Sequence, residues 1–307
     1  MSQTRREILL QNRLLKGTNP ATRSLVLGGS KNAVVGGAQS SVLAGKLNRV
    51  ETSRYAAVVS GESNSVTSSD DSVTVGGLRN ALLYAPGSVS IGGGLQGAAA
   101  AVAGNSLTST RNSTMLAGYD NTIQGGYQAG IMCAWQGEID ALSGGTVQFS
   151  TISGGSYNEI RSANSGVVGG HENVIGTSGF GWNAIVGGGQ NTMSNSQFSA
   201  MIASGGYDTP ASMSYADRSL IAGGGSHVLA GVSGASINNS AILGGESNTV
   251  SHSRSVAIGG TGLSSDATDT VFMSKVHIEN LPTSSAGLSA GTLWVSGTSP
   301  NKYVRMA

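Results

Sequence analysis

Residues 240–250 read SAILGGESNTV, and variants of this unit recur along most of the 307-residue chain. A second clear copy is SVTVGGLRNAL at residues 72–82. Each unit has a small first residue, three mostly apolar positions, a small residue followed by Gly, two variable positions and, in many copies, Asn before a further apolar position. This repeat is the first feature to interpret because it determines the architecture of the whole chain.

Seventeen units fit this frame at a spacing of mostly 14–18 residues, and Gly follows the small residue in all but the copy that contains Cys133 and Ala134. None of the small residues exceeds Cys in size, so we predict a steric limit at their position. Cys133 is accordingly predicted to be a small buried residue and not a reactive thiol. The small residues are Gly28, Gly36, Ala44, Ser60, Gly76, Gly92, Ala103, Ala117, Cys133, Gly144, Gly154, Gly169, Gly187, Ser204, Gly223, Gly244 and Gly259.

Each unit predicts two short strands, one before the glycine pair and one after the Asn. Gly allows the positive φ that a turn between the strands requires. Asn can bond its own backbone, adopt the left-handed conformation, or form a ladder with Asn of neighbouring coils. The predicted turn residues are Gly28, Gly29, Gly76, Gly77, Gly154, Gly155, Gly169, Gly170, Gly187, Gly188, Gly244, Gly245 and Asn248.

One coil of this length cannot bury its apolar side, whereas stacked coils pair their backbones and share a core. The repeat therefore predicts an all-β chain with a parallel β-roll or β-solenoid over residues 21–265, in which several chains share one core. Residues 1–20 are predicted to contain a short attachment helix over 4–16, because apolar residues recur there at helical spacing. Residues 266–307 are predicted to form a small β cap with strands at 292–295 and 302–305.

The composition narrows the possible partners. Charged residues make up 11% of the chain and the net charge is +1, with Lys and Arg scattered along it, which argues against nucleic acid and anionic membranes as partners. No run of 18 apolar residues occurs, so no membrane insertion is expected. Gly contributes 48 residues, but the regular recurrence of Val and Ile argues against disorder.

No catalytic, cofactor or metal site is predicted, and the chain is not expected to be an enzyme. The GxGxxG match at residues 92–97 lacks the βαβ context of a dinucleotide site. Paired carboxylates would suit a glycan-cleaving tailspike, but the acidic candidates are interpreted as solvated turn residues. The histidines are widely separated and expected in turns or at the surface. These acidic and imidazole side chains are Asp70, Asp71, Glu138, Asp140, Glu159, His171, His227, His252 and His277.

Aromatic side chains in the irregular parts of the repeat are the candidate receptor contacts. Such side chains suit stacking on sugars or anchoring of an interface. The alternative is that they cover coil edges or pack between chains. The candidates are Trp135, Phe180, Trp182, Tyr207 and Tyr215.

The units NSAILGG at residues 239–245 and SVAIGG at 255–260 resemble the head repeats of YadA-type trimeric autotransporter adhesins. The resemblance covers about residues 24–265 and implies a left-handed parallel β-roll with three chains to a head. The apolar pieces at residues 8–10 and 14–15 are too short for a signal-peptide core, and no membrane-anchor barrel is expected. Similar head repeats occur in bacteriophage tail fibres, which assemble in the host cytoplasm.

The C-terminal segment points the same way, since DTVFM at residues 269–273 and LPTSSAGLSAGTLW at 281–294 are similar to the ends of phage tail structural proteins. The resemblance implies a homotrimeric fibre or adhesin subunit of a bacteriophage tail, located in the virion. Its expected partners are other copies of itself, a tail or baseplate protein that binds the N-terminal segment, and a host surface glycan or protein. The alternatives are a head fibre, collar or spacer that binds no host and, more remotely, a glycan depolymerase tailspike.

Overall fold

The computed structural model describes residues 23–92, 105–140, 147–176, 181–206, 209–231, 235–275, 281–284, 286–290, 292–296 and 303–306. The chain forms two compact units, residues 1–272 and residues 273–307. The described residues contain strands and no helix, and so no helix there is long and apolar enough to cross a membrane. The predicted helix at residues 4–16 lies outside the described residues.

Two long parallel sheets build the first unit. Sheet A, with fifteen strands, contains β1 (Leu25–Val26), β3 (Ser41–Val42), β5 (Ala57–Val58), β7 (Val73–Val75), β9 (Val89–Ile91), β11 (Thr114–Leu116), β14 (Gly130–Met132), β17 (Thr151–Ser153), β19 (Gly166–Val168), β21 (Ala184–Val186), β23 (Ala200–Ile202), β26 (Leu220–Ala222), β29 (Ala241–Leu243), β31 (Val256–Ile258) and β32 (Val271–Met273). Sheet B, with thirteen strands, contains β2 (Ala33–Val35), β4 (Arg49–Glu51), β6 (Ser65–Thr67), β8 (Ala81–Leu83), β10 (Ser106–Thr108), β12 (Thr122–Gln124), β15 (Glu138–Asp140), β18 (Glu159–Ile160), β20 (Val174–Gly176), β22 (Thr192–Ser194), β24 (Ser212–Ser214), β27 (Val228–Ala230) and β30 (Thr249–Val250).

Three shorter strand pairs complete the described secondary structure. Two are parallel: β13 (Gly126–Tyr127) with β16 (Val147–Gln148), and β25 (Ala216–Asp217) with β28 (Ile237–Asn238). The third, in the second unit, is an antiparallel pair of β33 (Leu293–Ser296) and β34 (Tyr303–Met306). The two C-terminal strands predicted from the sequence are therefore present, each shifted by one residue, while their role as a cap stays a prediction.

The predicted parallel β-solenoid is confirmed. The chain alternates between sheets A and B, so that each coil contributes one strand to each sheet, over about 14 turns. The pairing is parallel and in register, and equivalent residues lie above one another; Val34 pairs with Val50, and Val50 with Val66. The left-handed winding and the trimeric state implied by the resemblance stay predictions.

The core lies between the two sheets. Side chains alternate along a strand, so the middle residue of each three-residue strand points inward and its neighbours point outward. The inner residues of sheet B form one continuous apolar column, and each is at most 6% exposed. This column consists of Val34, Val50, Val66, Leu82, Leu107, Ile123, Ile139, Ile160, Ile175, Met193, Met213, Leu229 and Val250.

The inner column of sheet A is buried except at its ends, Val26 and Phe272, and includes two hydroxyl side chains. Ile131, Ile185 and most other members are apolar, whereas Thr74 and Ser90 lie next to each other on paired strands and are 0% exposed. Because a single chain closes this core, the expectation that several chains share one core is wrong for the space between the sheets.

The two residues that turn the chain from sheet A into sheet B form what we call the glycine corner. Its second residue makes the closest approach to the next coil: a Cβ added at Gly188 would overlap the carbonyl oxygen of Ser204 and lie 2.6 Å from Nδ2 of Asn191. A Cβ added at the first residue, Gly187, would meet nothing within 4 Å. The corners described in full are 28–29, 44–45, 60–61, 76–77, 117–118, 133–134, 154–155, 169–170, 187–188, 203–204, 223–224, 244–245 and 259–260.

In corners whose second residue is Gly, the steric limit therefore lies one residue later than the sequence pattern suggested. Ala134 and Ser204 take this position in two corners, where the backbone does not have the positive φ of the glycines. The first corner residue is not confined by the neighbouring coil in most of the described copies, and Cys133 at this position is exposed. The prediction that Cys133 is buried is wrong, because the restriction in size belongs to the residue after it.

Two of the seventeen sequence units need correction, and two more cannot be assigned. The pairing of Val186 with Ile202 aligns Ala203 with Gly187, so the unit placed at Ser204 begins one residue earlier. Gly36 follows a strand of sheet B and lies at the other edge of the coil. The units placed at 103 and 144 lie outside the described residues.

An asparagine ladder ties successive coils together just after the glycine corner. Nδ2 of Asn48 donates to the carbonyl of Ala44 in its own corner (2.9 Å) and to that of Gly61 in the next (2.9 Å). Oδ1 of Asn48 accepts the backbone N–H of Asn64 (3.0 Å). This confirms the predicted ladder and the predicted bonding to the residue's own turn. The buried asparagines of the ladder are Asn32, Asn48, Asn64, Asn80, Asn105, Asn121, Asn158, Asn173, Asn191 and Asn248.

A second ladder, of serines, runs along the edge where the chain returns from sheet B to sheet A. The backbone N–H of Ser219 donates to Oγ of Ser199 (3.1 Å), and that of Ser240 donates to Oγ of Ser219 (3.2 Å). The small first residue of each unit is visible in the sequence, but its role in a ladder is not. The members are Ser40, Ser72, Ser88, Ser113, Ser150, Ser165, Ser199, Ser219, Ser240 and Ser255.

His227 takes an asparagine position in the ladder. It is 0% exposed, and its Nδ1 accepts the backbone N–H of Asn248 (3.2 Å). Burial lowers the pKa of His227 below its ordinary value, because the charged imidazolium would lose hydration. The expectation of a surface or turn position is therefore wrong for this histidine, which is held neutral inside the solenoid.

The glycine corner gives a first test. We predict that Gly188→Ala lowers the free energy of unfolding by more than about 3 kcal/mol, because the new Cβ overlaps backbone that cannot yield. Gly187→Ala should lower it by only about 1–2 kcal/mol, the strain of a left-handed Ala. Urea unfolding of both variants measures the difference, and equal losses would contradict the assigned steric limit.

The buried hydroxyl of Thr74 gives a second test, because Thr74 and Ser90 have no hydrogen-bond partner for Oγ among the described residues. Thr74→Val keeps the shape and removes an unsatisfied group, so we predict a gain of about 1 kcal/mol in the free energy of unfolding. Thr192→Val, at an exposed position of β22, is the matched control and should change stability little. A loss at Thr74→Val would show that its hydroxyl is satisfied.

The buried imidazole of His227 predicts a pH dependence of stability. The unfolded state takes up the proton near pH 6.5 and the folded state only at lower pH, so the free energy of unfolding falls as pH drops below about 6.5. His227→Asn restores the ladder residue and should reduce this loss between about pH 7 and 5. Urea titrations of both proteins at several pH values test this, and identical pH profiles would rule it out.

Candidate functional site

The outer face of sheet A is mostly apolar, with Ser41, Thr114 and Thr151 among its polar members. In each coil, the outward residue that directly precedes the glycine corner belongs to a single column, which we call the apolar column. Val168, in the middle of this column, is 52% exposed. Ser153 and Ala222 are the exceptions among these positions. The apolar column consists of Leu27, Leu43, Val59, Val75, Ile91, Leu116, Met132, Val168, Val186, Ile202, Leu243 and Ile258.

The outer face of sheet B has the opposite character. Its outward residues are mostly Ser, Thr and charged side chains, such as Thr67, Thr192 and Ser214. Since both sheets fill the same core in the same way, the difference between their outer faces is not required by the solenoid itself. A contiguous exposed apolar face marks an interaction surface.

A cluster of rings, which we call the aromatic patch, lies just after the glycine corner on four consecutive coils. The register places Tyr119 beside Trp135, and places Ser156 between Trp135 and His171. Tyr157 follows Ser156 directly and contacts both neighbouring rings. Trp135, predicted as a receptor contact, therefore has two aromatic neighbours that were not predicted as contacts, Tyr119 and Tyr157, and His171 lies beyond Tyr157.

The rings of the aromatic patch are packed and yet accessible. The centroid distances are 6.2 Å from Tyr119 to Trp135 in an edge-to-face contact, 6.2 Å from Trp135 to Tyr157 in a tilted one, and 5.5 Å from Tyr157 to His171 edge to face. Nδ1 of His171 and Oγ of Ser156 are 2.8 Å apart. Trp135 is nevertheless 54% exposed, so a ligand can reach it.

A groove of about 410 Å³ opens at this patch. The rings of Tyr119 and Trp135 form its aromatic walls, and Cys133 places the single thiol of the chain in its lining. The remaining lining residues are Gly118, Ala134 and Gly155, which come from three successive glycine corners. The groove thus results from small corner residues beside large rings.

Planar polar groups flank the rings at the position that Tyr157 occupies on its own coil. Nε2 of Gln136 donates to Oδ2 of Asp120 (3.3 Å), and Nε2 of Gln190 donates to Oε2 of Glu172 (2.8 Å). The flank contains carboxylates and amides but no Lys or Arg among these four positions. It presents oxygen acceptors and N–H donors and carries no fixed positive charge.

The acidic candidates of the sequence analysis lie in two places. Glu138 and Glu159 pair on β15 and β18, with Asp140 two residues beyond Glu138. Burial raises the pKa of Glu159, although its ion pair with Arg161 opposes the shift. Asp70 is instead paired with Arg54 of the preceding coil (2.9 Å). Among the described residues no group of three or more His, Cys, Asp or Glu side chains is placed to hold a metal ion.

The other predicted receptor contacts lie elsewhere or outside the described residues. Trp182 is 59% exposed and stacks on Phe198 at 6.3 Å with a 5° angle between the rings, at the serine-ladder edge and away from the glycine corner. Tyr215 is exposed and follows β24. Phe180 and Tyr207 lie outside the described residues, as do positions 93–97 of the GxGxxG match.

Comparison with known proteins assigns no family to this chain. No protein-family model matches it, and a search of curated proteins finds no significant match. Two surfaces of the solenoid, the apolar column and the aromatic patch, are therefore the features that indicate a function.

Proposed function

We propose that this chain is the rod-forming subunit of a homotrimeric fibre, in which the apolar column of each chain packs against the other copies. The observation that carries the proposal is the continuity of that column, which runs from Leu27 to Ile258 on the outside of a core that is already closed. Burying an apolar surface of this extent removes it from water, and this stabilises an assembly in which the surface is covered.

A second copy of the chain is the occupant that best matches the column. Its residues recur once per coil at the spacing of hydrogen-bonded strands, about 4.8 Å. A partner that contacts every residue of the column needs the same repeat over the same length, and another copy has both. Trimeric association is what the resemblance to YadA-type head repeats implies, and it would place three such faces around one axis.

The role in a bacteriophage tail, with attachment to a host, is the wider part of the proposal. It is supported by the resemblance of the repeats and of the C-terminal segment, together with an exposed aromatic patch that the solenoid does not require. A head fibre, collar or spacer that binds no host is the second candidate. Adsorption of the purified rod to host cells would favour attachment, and its absence would favour a spacer.

The oligomeric state tests the central part of the proposal. We predict that the wild-type protein sediments at three times its single-chain mass of 30.7 kDa. Val168→Lys combined with Ile202→Lys places two charges in the apolar column and should yield monomers, because burying unpaired charges is strongly unfavourable. The readout is sedimentation velocity of the wild-type and variant proteins.

The matched control places the same charges on the polar face, as Thr192→Lys combined with Ser214→Lys, and should stay trimeric. Circular dichroism verifies that the β-structure persists in each variant. A monomeric wild-type protein, or a trimer that survives the charges in the apolar column, would contradict the proposed interface.

A further inference from the structure

The aromatic residues of the patch occupy positions where the solenoid does not need rings. The positions equivalent to Tyr119 and Trp135 in other coils hold Ser30, Lys46, Glu62, Leu78, Gly225, Glu246 and Thr261, and those coils stack with the same parallel bridges. Coil stacking therefore does not explain the choice of Tyr and Trp. Exposed rings that the fold does not require indicate a ligand.

The patch is also too short to belong to the fibre interface. The apolar column recurs over nearly the whole of sheet A, whereas the rings are confined to the coils from Tyr119 to His171. An interface between identical parallel rods would be expected to repeat its anchors from coil to coil. A local cluster instead fits a ligand of the size of a few rings.

The shape of the groove favours flat, amphipathic rings. Its volume of about 410 Å³ lies within the range of small-molecule sites. The faces of Trp135 and Tyr157 can stack against the C–H face of a pyranose ring, and the carboxylates and amides of the flank can bond its hydroxyls. Their placement on successive coils suits an oligosaccharide that runs along the rod.

The charge of the surroundings selects among glycans. Asp120 and Glu172 lie in the flank, and Glu138 and Glu159 follow Trp135 and Tyr157 within three residues. The nearby guanidinium of Arg161 is paired with Glu159, and the ring of His171 lies 3.4 Å from the carboxylate of Glu172. An acidic polysaccharide would be repelled, so the surroundings favour an uncharged one.

We infer that the aromatic patch is a binding site for neutral oligosaccharides, with Trp135 as the central stacking platform. This inference names the ligand class for the attachment part of the proposed function and rests on that part. It does not depend on trimer formation, which is measured separately.

The thiol of Cys133 allows the groove to be probed directly in the assembled wild-type protein. Because it is the single cysteine, a thiol reagent such as Ellman's reagent reports on this site alone. We expect it to react freely in the native protein and to be slowed about tenfold or more by a saturating neutral glycan. A thiol that reacts only after unfolding would mean that the groove is covered, and would overturn the inference.

Binding to an array of neutral, acidic and amine-bearing glycans tests the ligand class. We predict that neutral glycans alone bind, that binding survives about 0.5 M salt, and that Trp135→Ala weakens it about tenfold or more while Trp135→Phe weakens it less. Trp182→Ala is the matched control, since Trp182 is similarly exposed but lies at the serine-ladder edge, and it should bind as wild type.

Each other outcome overturns the inference. These outcomes are the absence of neutral glycan binding, loss of binding in Trp182→Ala instead of Trp135→Ala, and binding that salt abolishes, which would indicate a cationic ligand. Sedimentation of the same samples distinguishes failure of the site from failure of the fibre, because a trimer without glycan binding refutes only the site.

Discussion

The close approach of backbones at the corners whose second residue is glycine is the constraint on which most of the solenoid depends. At Gly188 the carbonyl of the next coil, at Ser204, occupies the space that a Cβ would need. This contact lets the corners of adjacent coils nest, so that their strands pair in register on both sides. It also brings the corner carbonyls within reach of the asparagine that follows, and so the turn and the ladder depend on each other.

The two ladders explain how a narrow solenoid buries polar corners. Asn48 bonds its own corner, the next corner and the backbone of the next asparagine, so all of its polar atoms are satisfied away from water. The serines do the same for the opposite edge with a shorter side chain. Where Gly137 or Ala211 replaces an asparagine, the strands on either side remain paired, so the ladder is redundant over single coils.

The repeat made most of this fold predictable, because steric limits and hydrogen-bond ladders act on residue type at fixed intervals. The units around Gly76, Gly187 and Gly244 were enough to infer stacked parallel strands. The pattern shows that small residues occur in pairs. It does not show which residue of each pair lies against the next coil. Cys133 was misplaced for that reason, and the unit at Ser204 was shifted because its corner, Ala203 and Ser204, is followed by a further glycine.

The candidate site was harder to predict because it depends on register between coils. Trp135 could be selected as an exposed ring, but its neighbours Tyr119 and Tyr157 lie 16 and 22 residues away in the sequence. A signal did exist, since Tyr119 and Trp135 each directly follow a corner pair and so occupy one column. His227 could also have been placed from the sequence. It stands at the repeat position of the asparagines, and these are buried.

The outward positions of the solenoid are of two kinds: those whose character repeats from coil to coil, and those whose character is confined to a few coils. Inner residues and ladders fix the coil, so any outward residue that recurs does so for a reason outside the coil. A property that repeats in nearly every coil, such as the apolar column, calls for a partner that repeats too. A property confined to a few coils, such as the rings around Trp135, calls for a partner of limited extent. Periodicity itself therefore separates the surface that builds a fibre from the surface that recognises a ligand.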